Sequence, residues 1–312
     1  MGHSEDWRDR SESSVTGTPL AVYALALLPA VLWGFGPIFD KRGMDAGGTA
    51  TQAAIVVVVV DAVLYWLALL VTSWPDPLSG LTLDLVAVFA VAGLFGTAMG
   101  RILVFAGVAR VGASINSAGI STRPLFATLL ALGFLGEPLG PLTGVGIVVL
   151  VGGLVVLTYS KGGDVSGWKP RDLLFPVGAA AVFGAGNVLR RYGFGDTAAT
   201  PLQAVTINET AALVALAAYA LATKGVDALD TPRESYAYFS GSGLVTAIAL
   251  LSFFTALSME AGRVAVVDSL AATAPLFTTV FAAVLLRDVE RVTRGVVLGA
   301  ALVVIGAVLI TL

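Results

Sequence analysis

The chain has 312 residues, of which 57% are hydrophobic and only 12% charged, and its net charge is −3. Soluble proteins carry about 25% charged residues, so we expect lipid rather than water to cover most of this chain. It contains no cysteine, and its only histidine, His3, precedes the apolar segments, which excludes thiol catalysis, a histidine-based metal site and a Ser-His triad within them.

The N-terminal segment, residues 1–19, is polar and acidic without a basic n-region, so we expect a disordered tail rather than a cleaved signal peptide. Ten apolar runs follow, each near the roughly 20 residues that a membrane-spanning helix needs. Unbroken runs such as IVVVVV at 55–60 favour helices over barrel strands, in which apolar residues alternate. The predicted spans are 20–39, 51–73, 85–107, 112–135, 141–159, 173–190, 201–222, 237–258, 264–286 and 293–312.

An internal repeat divides these spans into two equal sets. WGFG at 33–36 matches FGAG at 183–186, and PLFATLLALGFLGEPLG at 124–140 matches PLFTTVFAAVLLRDVER at 275–291. The copies are residues 20–160 and 172–312, with five spans each. Because five is odd, the second copy must enter the membrane in the opposite orientation. The predicted fold is therefore an all-α membrane protein with ten transmembrane helices as two inverted five-helix repeats, a device of secondary transporters.

At this point the sequence resembles the EamA family of the drug/metabolite transporter superfamily. The resemblance rests on WGFGP at 33–37, on AGVARVGASINSAGISTRPLF at 106–126 and on the proline-to-acid segments that end in Glu137 and Asp288. It covers about residues 20–312. It implies ten helices, a central cavity lined mainly by spans 1, 3, 4, 6, 8 and 9, and export or exchange of small metabolites or drugs. Arg101 and Arg123 depart from the family pattern, so no relative's substrate is transferred to this chain.

Five charged residues lie deep inside predicted spans: Asp61, Arg101, Arg123, Glu209 and Asp268. An arginine at the centre of a membrane helix costs about 2.5–3.5 kcal/mol on some scales and about 10–17 kcal/mol on others. Such side chains therefore face the interior of the bundle and have partners there. Two interpretations stay open: the charges pair internally and fix helix packing, for example Arg101 with Asp61, or they bind the solute.

Arg101 and Arg123 are the preferred solute-binding residues, because spans 3 and 4 line the cavity that the resemblance implies. A guanidinium stays charged and binds a carboxylate or phosphate with two hydrogen bonds. Asn116 lies seven residues before Arg123, so in a continuous helix the two share a face and Asn116 adds a neutral hydrogen bond. Asp268 would bind the amino group of a zwitterion such as an amino acid. Trp33 would line the cavity, although packing explains an aromatic residue there equally well.

The predicted function is a secondary transporter, an exporter or exchanger of a small organic metabolite that works by alternating access. A proton or sodium ion could be coupled through Asp61 or Glu209, and exchange without a coupling ion is equally open. The alternatives are a channel, an integral membrane enzyme or a scaffold with the same bundle. No nucleophile or metal constellation and no GxxxxGK[ST] nucleotide motif appears in the sequence. We expect no cofactor, and no nucleic acid as a partner, since there is no basic run.

The bilayer of a prokaryotic plasma membrane is the expected location, but two arguments disagree about orientation. The segments on the side of the N-terminus hold 5 lysines and arginines, and those on the other side hold 11. Cytoplasmic loops are the richer in these residues, so the count predicts both termini outside. The resembled family has both termini inside.

Overall fold

The computed structural model describes residues 20–135, 141–160, 167–195, 198–225, 230–262, 264–285 and 293–311. All regular secondary structure in these ranges is helical, which confirms the predicted class. The helices are α1 (Leu20–Asp45), α2 (Ala50–Ser73), α3 (Leu83–Val111), α4 (Ala113–Ile120), α5 (Arg123–Leu135), α6 (Pro141–Ser160), α7 (Leu174–Gly193), α8 (Pro201–Lys224), α9 (Arg233–Ser258), α10 (Val264–Ala271), α11 (Ala274–Leu285) and α12 (Arg294–Thr311). The N-terminal tail, Glu137 and Asp288 lie outside the described residues.

Six helical segments in the described part of the chain are long and apolar enough to cross a membrane. They are Leu20–Asp45, Ala50–Ser73, Leu83–Val111, Pro170–Gly193, Pro201–Thr223 and Arg233–Ser258. Large apolar side chains such as Val71 and Val148 are exposed on the outside, while charged side chains are buried inside, the reverse of a water-soluble protein. The number of ten spans stays a prediction.

Two predicted spans are not single helices, which corrects the sequence analysis. Residues 112–135 form α4 and α5, separated at Ser121 and Thr122, and residues 264–286 contain α10 and α11, separated at Ala272 and Thr273. Each second helix has a proline, Pro124 or Pro275, as its second residue. Proline has no N–H to continue the preceding helix and disfavours helical geometry in the residue before it, so the helix restarts there.

The two breaks are equivalent in detail. At each break, the N–H of the first residue donates a hydrogen bond to the carbonyl four positions earlier. The N–H of the second residue donates to the carbonyl three positions earlier. These bonds are Ser121 N to Ser117 O, Thr122 N to Gly119 O, Ala272 N to Asp268 O and Thr273 N to Leu270 O, with lengths of 2.8–3.2 Å. The duplicated sequences therefore form duplicated local structure.

Glycines allow the two copies to approach each other at equivalent positions. A β-carbon added to Gly34 of α1 would lie 2.5 Å from Cβ of Phe277 in α11. One added to Gly184 of α7 would lie 3.2 Å from Cβ of Phe126 in α5. Gly184 follows Gly34 by 150 residues, and Phe277 follows Phe126 by 151. Thus α1 of the first copy packs on α11 of the second, and the equivalent helices α7 and α5 pack on each other in the same way.

The N-termini of α2 and α8 are capped in the same way and make equivalent contacts between the two copies. Thr49 and Gln52 form a capping box at the start of α2, and Thr200 and Gln203 form one at the start of α8. Each glutamine also donates from Nε2 to a carbonyl of the other copy, Gln52 to Asp230 at 2.7 Å and Gln203 to Ser79 at 3.1 Å. Equivalent residues of the two copies therefore make equivalent contacts with the other copy.

Candidate functional site

A cavity of about 150 Å³ is bounded by both copies at the level of the helix breaks. Its wall includes three arginines, one acid, one tryptophan and one serine that matter below: Arg101, Arg123, Arg190, Asp40, Trp33 and Ser242. The lining residues belong to predicted spans 1, 3, 4, 6, 8 and 9, the six that the family resemblance implies. The two breaks meet at this level, where Oγ of Ser121 donates to the Ala272 carbonyl at 2.6 Å.

Arg101 of α3 is held by two carboxylates behind the cavity wall. Its guanidinium pairs with Asp61 of α2 and lies 3.4 Å from Oε2 of Glu209 in α8. Both acids are completely buried. A cation shared by two acids leaves part of their negative charge unbalanced, so this group depends on further donors nearby.

Arg123 of α5 pairs with Asp268 of α10, and Nε lies 2.6 Å from Oδ1 of the acid. Asn187 of α7 donates to the same oxygen at 2.8 Å. The guanidinium carbon of Arg123 lies 5.7 Å from the ring centres of Trp33 and Phe253, within the range of a cation–π interaction. Arg123 is thus bounded by its acid on one side and by aromatic rings on another.

Arg190 of α7 connects these two groups. Its guanidinium donates to Asn187 at 2.7 Å, to Asn208 of α8 at 3.1 Å and to Oγ1 of Thr97 in α3 at 2.9 Å. Asn208 in turn donates to Glu209 at 2.9 Å. One chain of polar contacts therefore runs from Asp61 to Asp268 through Arg101 and Arg190, and Arg123 is joined to its end by Asp268. Because buried polar groups are costly when unpaired, these shared contacts stabilise the network, although Oδ1 of Asp61 and Oδ2 of Asp268 have no hydrogen-bond partner among the described residues.

Local features of α3 and α7 place Arg190 in reach of Thr97. Residues Leu94–Met99 form a π-helical turn, which widens α3 at Thr97. Beside it, a β-carbon on Gly96 would lie 2.8 Å from Cα of Gly186, so the backbones of α3 and α7 almost touch. Gly96 and Gly100 have the GxxxG spacing that is common where membrane helices pack closely, and both lie against α7 at this crossing.

Asp40 differs from the other buried acids. It is only 5% exposed and lies on the cavity wall, and it has no ion pair among the described residues, whereas Asp61, Glu209 and Asp268 each have an arginine. Its Oδ1 has no hydrogen-bond partner there, which is also true of one oxygen each of Asp61 and Asp268. Ser242 of α9 and Arg101 of α3 lie on the same cavity wall, and the hydroxyl of Ser242 also has no hydrogen-bond partner among the described residues. The carboxyl therefore borders the cavity without an arginine bound directly to it.

The structure brings most of the predicted site residues together. Trp33, Arg101 and Arg123 line the cavity, while Asp61, Glu209 and Asp268 lie behind the arginines. The predicted internal pair of Arg101 with Asp61 is present, and Arg101 also borders the cavity; binding of a solute by these residues stays a prediction.

Asn116 is not at the cavity, which corrects the prediction that it shares a face with Arg123. The helix breaks at residues 121–122, so a spacing of seven residues no longer returns to the same face. Asn116 is completely buried, and its side-chain oxygen lies against Gly107 of α3 instead.

Sequence reasoning missed Arg190 and Asp40. Arg190 is the last residue of predicted span 6 and Asp40 directly follows predicted span 1, so neither counted as a charge deep inside a span, whereas α7 continues to Gly193 and α1 to Asp45. The repeat contained a usable signal, because the two residues are 150 positions apart and therefore occupy equivalent places in the two copies.

Comparison with known proteins identifies the family to which the chain belongs. The model of the EamA-like transporter family matches the chain twice, at residues 20–159 and 172–312. No curated protein matches the chain. Among solved structures, one described only as the crystal structure of a protein is 14% identical, with a TM-score of 0.65 over 92% of this chain and 94% of its own. At that identity the likeness shows a common fold alone.

Proposed function

Because the chain belongs to the EamA-like transporter family, it is a multi-pass integral membrane protein, and we propose that it is a secondary carrier of a small anionic metabolite. It would act as an exporter or exchanger in a prokaryotic plasma membrane, with the cavity alternately open to either side. The observation that carries this proposal is the set of three arginines on the wall of a cavity between two repeats.

The reciprocal contacts of the two copies support an inverted repeat of ten spans. When each copy contacts the other through the same surface, a two-fold rotation relates them. Five spans in each copy would place that axis in the plane of the membrane, with a solute site near the midplane. Opening on one side would then mirror opening on the other, as alternating access requires.

The charge of the cavity wall supports an oxyanion as ligand. Arg101, Arg123 and Arg190 line it, whereas three of the four buried acids stand behind them. A guanidinium bound on one edge still has N–H groups on another, so a solute carboxylate or phosphate can bind without displacing the buried acid.

The size of the cavity supports a metabolite rather than a bulky drug. Its volume is about 150 Å³. Sites for drug-sized ligands have volumes of about 300–1,000 Å³, so this one suits a smaller molecule. Trp33 at the wall, beside Arg123, offers a flat apolar surface for the carbon skeleton of such a solute.

Untargeted comparison of metabolites in deletion and overexpression cells tests the function. We expect a small set of carboxylated or phosphorylated compounds to change in opposite directions in the two strains. Overexpression of Arg123→Gln should leave that set unchanged, and Arg110→Gln, an exposed position on α3, should act like the wild type. Changes confined to cationic or apolar compounds would contradict the anionic solute. A chemical conversion of substrate to product without transport would favour the membrane enzyme.

A further inference from the structure

Buried charge around the cavity does not balance. Among the described residues, seven charged side chains are buried: Arg101, Arg123, Arg190, Asp40, Asp61, Glu209 and Asp268. Asp61 and Glu209 hold Arg101, and Asp268 holds Arg123. With Asp40 set aside, three arginines stand against three acids. Asp40 is therefore the surplus acid of the cluster.

The surroundings of Asp40 do not favour a permanent negative charge. An ionised carboxylate that leaves water needs a paired cation or several donors. No described cation is paired with Asp40, its Oδ1 has no hydrogen-bond partner among the described residues, and Ser242 lies on the same cavity wall. A neutral carboxylic acid, by contrast, can lie there at small cost. The carboxyl also reaches the cavity, so it meets water whenever the cavity opens.

The helices packed against α1 offer few other groups that could control this site. The titratable and charged side chains near the cavity or the end of α1 include Asp61 and Tyr65 of α2, Arg101 of α3, Arg123 of α5, Arg190 of α7, Arg233, Glu234 and Tyr236 of α9, Asp268 of α10, and Lys41, Arg42 and Asp45 of α1 itself. Lys41 pairs with Asp45, and Arg42 donates to the Leu285 carbonyl. Arg101 is the cation that acts on Asp40, and its guanidinium is already bound by two acids.

The equivalent position in the other repeat supports a special role. Arg190 lies 150 residues after Asp40 and also borders the cavity, but three hydrogen bonds fix its guanidinium. In an inverted repeat, the C-terminal ends of α1 and α7 would lie toward opposite membrane surfaces. One end of the cavity then carries a fixed cation and the other an unpaired acid.

We propose that Asp40 binds and releases a proton during transport, so that the proton and the anionic solute occupy the cavity together. The proton passes from water to a carboxylate oxygen of Asp40 when the cavity is open on one side, and returns to water on the other. A bound anion raises the proton affinity of a nearby carboxylate, and by linkage the proton raises the affinity for the anion. The proposal rests on the proposed carrier function, and it assigns coupling to Asp40 rather than to Asp61 or Glu209.

Infrared difference spectroscopy of the full chain in lipid vesicles tests the proton site directly, with protons as the only probe. We expect a carboxylic acid band that disappears as the pH is raised, is missing in Asp40→Asn, and is retained in Asp45→Asn, a control on the same helix. If Asp40→Asn does not fold, Ser242→Ala takes its place and should shift the pH at which the band disappears. Identical titrations of the wild type and the folded variant would overturn the proposal.

A transport measurement separates this proposal from the carrier function. Vesicles are loaded with a metabolite extract, and efflux is followed with and without an imposed pH gradient. The gradient should change efflux in the wild type and should have no effect in Asp40→Asn. An unchanged response in Asp40→Asn overturns the coupling role alone, whereas no efflux from wild-type vesicles overturns the carrier.

Discussion

At the scale of single residues, the site is a buried ionic network whose arginines also reach a cavity. Charged residues inside apolar runs are visible in a sequence, so Asp61, Arg101, Arg123, Glu209 and Asp268 were all predicted to be buried, and they are. The pair of Arg101 with Asp61 was predicted as one alternative, but the other pairings were not, because they depend on how five spans from two copies come together. The neutral members of the network, such as Thr97, gave no signal, since a threonine in a membrane helix is unremarkable in sequence.

Arg101→Gln separates the structural and solute-binding roles of Arg101. Removing one partner of a buried pair costs about 3–5 kcal/mol, so this variant should unfold at a lower temperature in detergent. Adding Asp61→Asn removes one uncompensated acid and should restore part of the thermal stability. Transport should stay lost in the double variant, because the guanidinium that binds the solute is still missing. Recovery of transport together with stability would contradict the ligand role of Arg101.

At the scale of helices, the sequence repeat predicted which helices are equivalent but not where a span is broken into two helices. The repeated segments from Pro124 and from Pro275 predicted equivalent spans, and the structure has equivalent pairs of helices there. That these spans would break, rather than bend, did not follow from proline alone. Pro37 lies within the unbroken α1, whereas Pro124 and Pro275 each stand at a helix start. At the breaks, Ser121 of one copy donates to the Ala272 carbonyl of the other copy. The sequence of a single copy cannot reveal a contact of this kind between copies.

Gly34→Ala tests the close contact between α1 and α11. Its new β-carbon would lie 2.5 Å from that of Phe277 and 3.1 Å from the Ala274 carbonyl, so the helices must separate. Overpacking of this kind costs about 1–3 kcal/mol, and we expect a lower melting temperature and slower transport. Gly144→Ala is the matched control, because nothing among the described residues lies within 4 Å of a β-carbon there. Equal stability of the two variants would contradict the packing described for α1.

At the scale of the whole molecule, composition and repeat were enough to predict a helical membrane protein with two copies of one unit. The family model confirms the duplication, and the reciprocal contacts are those expected of two copies related by rotation. Orientation stays a prediction, because it depends on the count of lysines and arginines on the two sides, 5 against 11, which favours both termini outside.

Cysteine labelling of intact cells tests both the number of spans and the orientation. The natural chain has no cysteine, so Ser13→Cys and Ser166→Cys each introduce a single reactive group. Five spans between these positions place them on opposite sides of the membrane. An impermeant thiol reagent should therefore label Ser13→Cys and leave Ser166→Cys unlabelled until the cells are opened. The reverse result would give the orientation usual in the family, and labelling of both in intact cells would exclude an odd number of spans.

The central claim is that the arginine-lined cavity carries a small anion across the membrane. Efflux from vesicles that contain the purified protein and a metabolite extract, analysed by mass spectrometry, tests it most directly. Wild-type vesicles should release a few carboxylated or phosphorylated compounds that protein-free vesicles and Arg123→Gln vesicles retain, while Arg110→Gln vesicles release the same compounds as the wild type. Release of no compound by the folded wild type, or equal release by folded Arg123→Gln, would contradict the account.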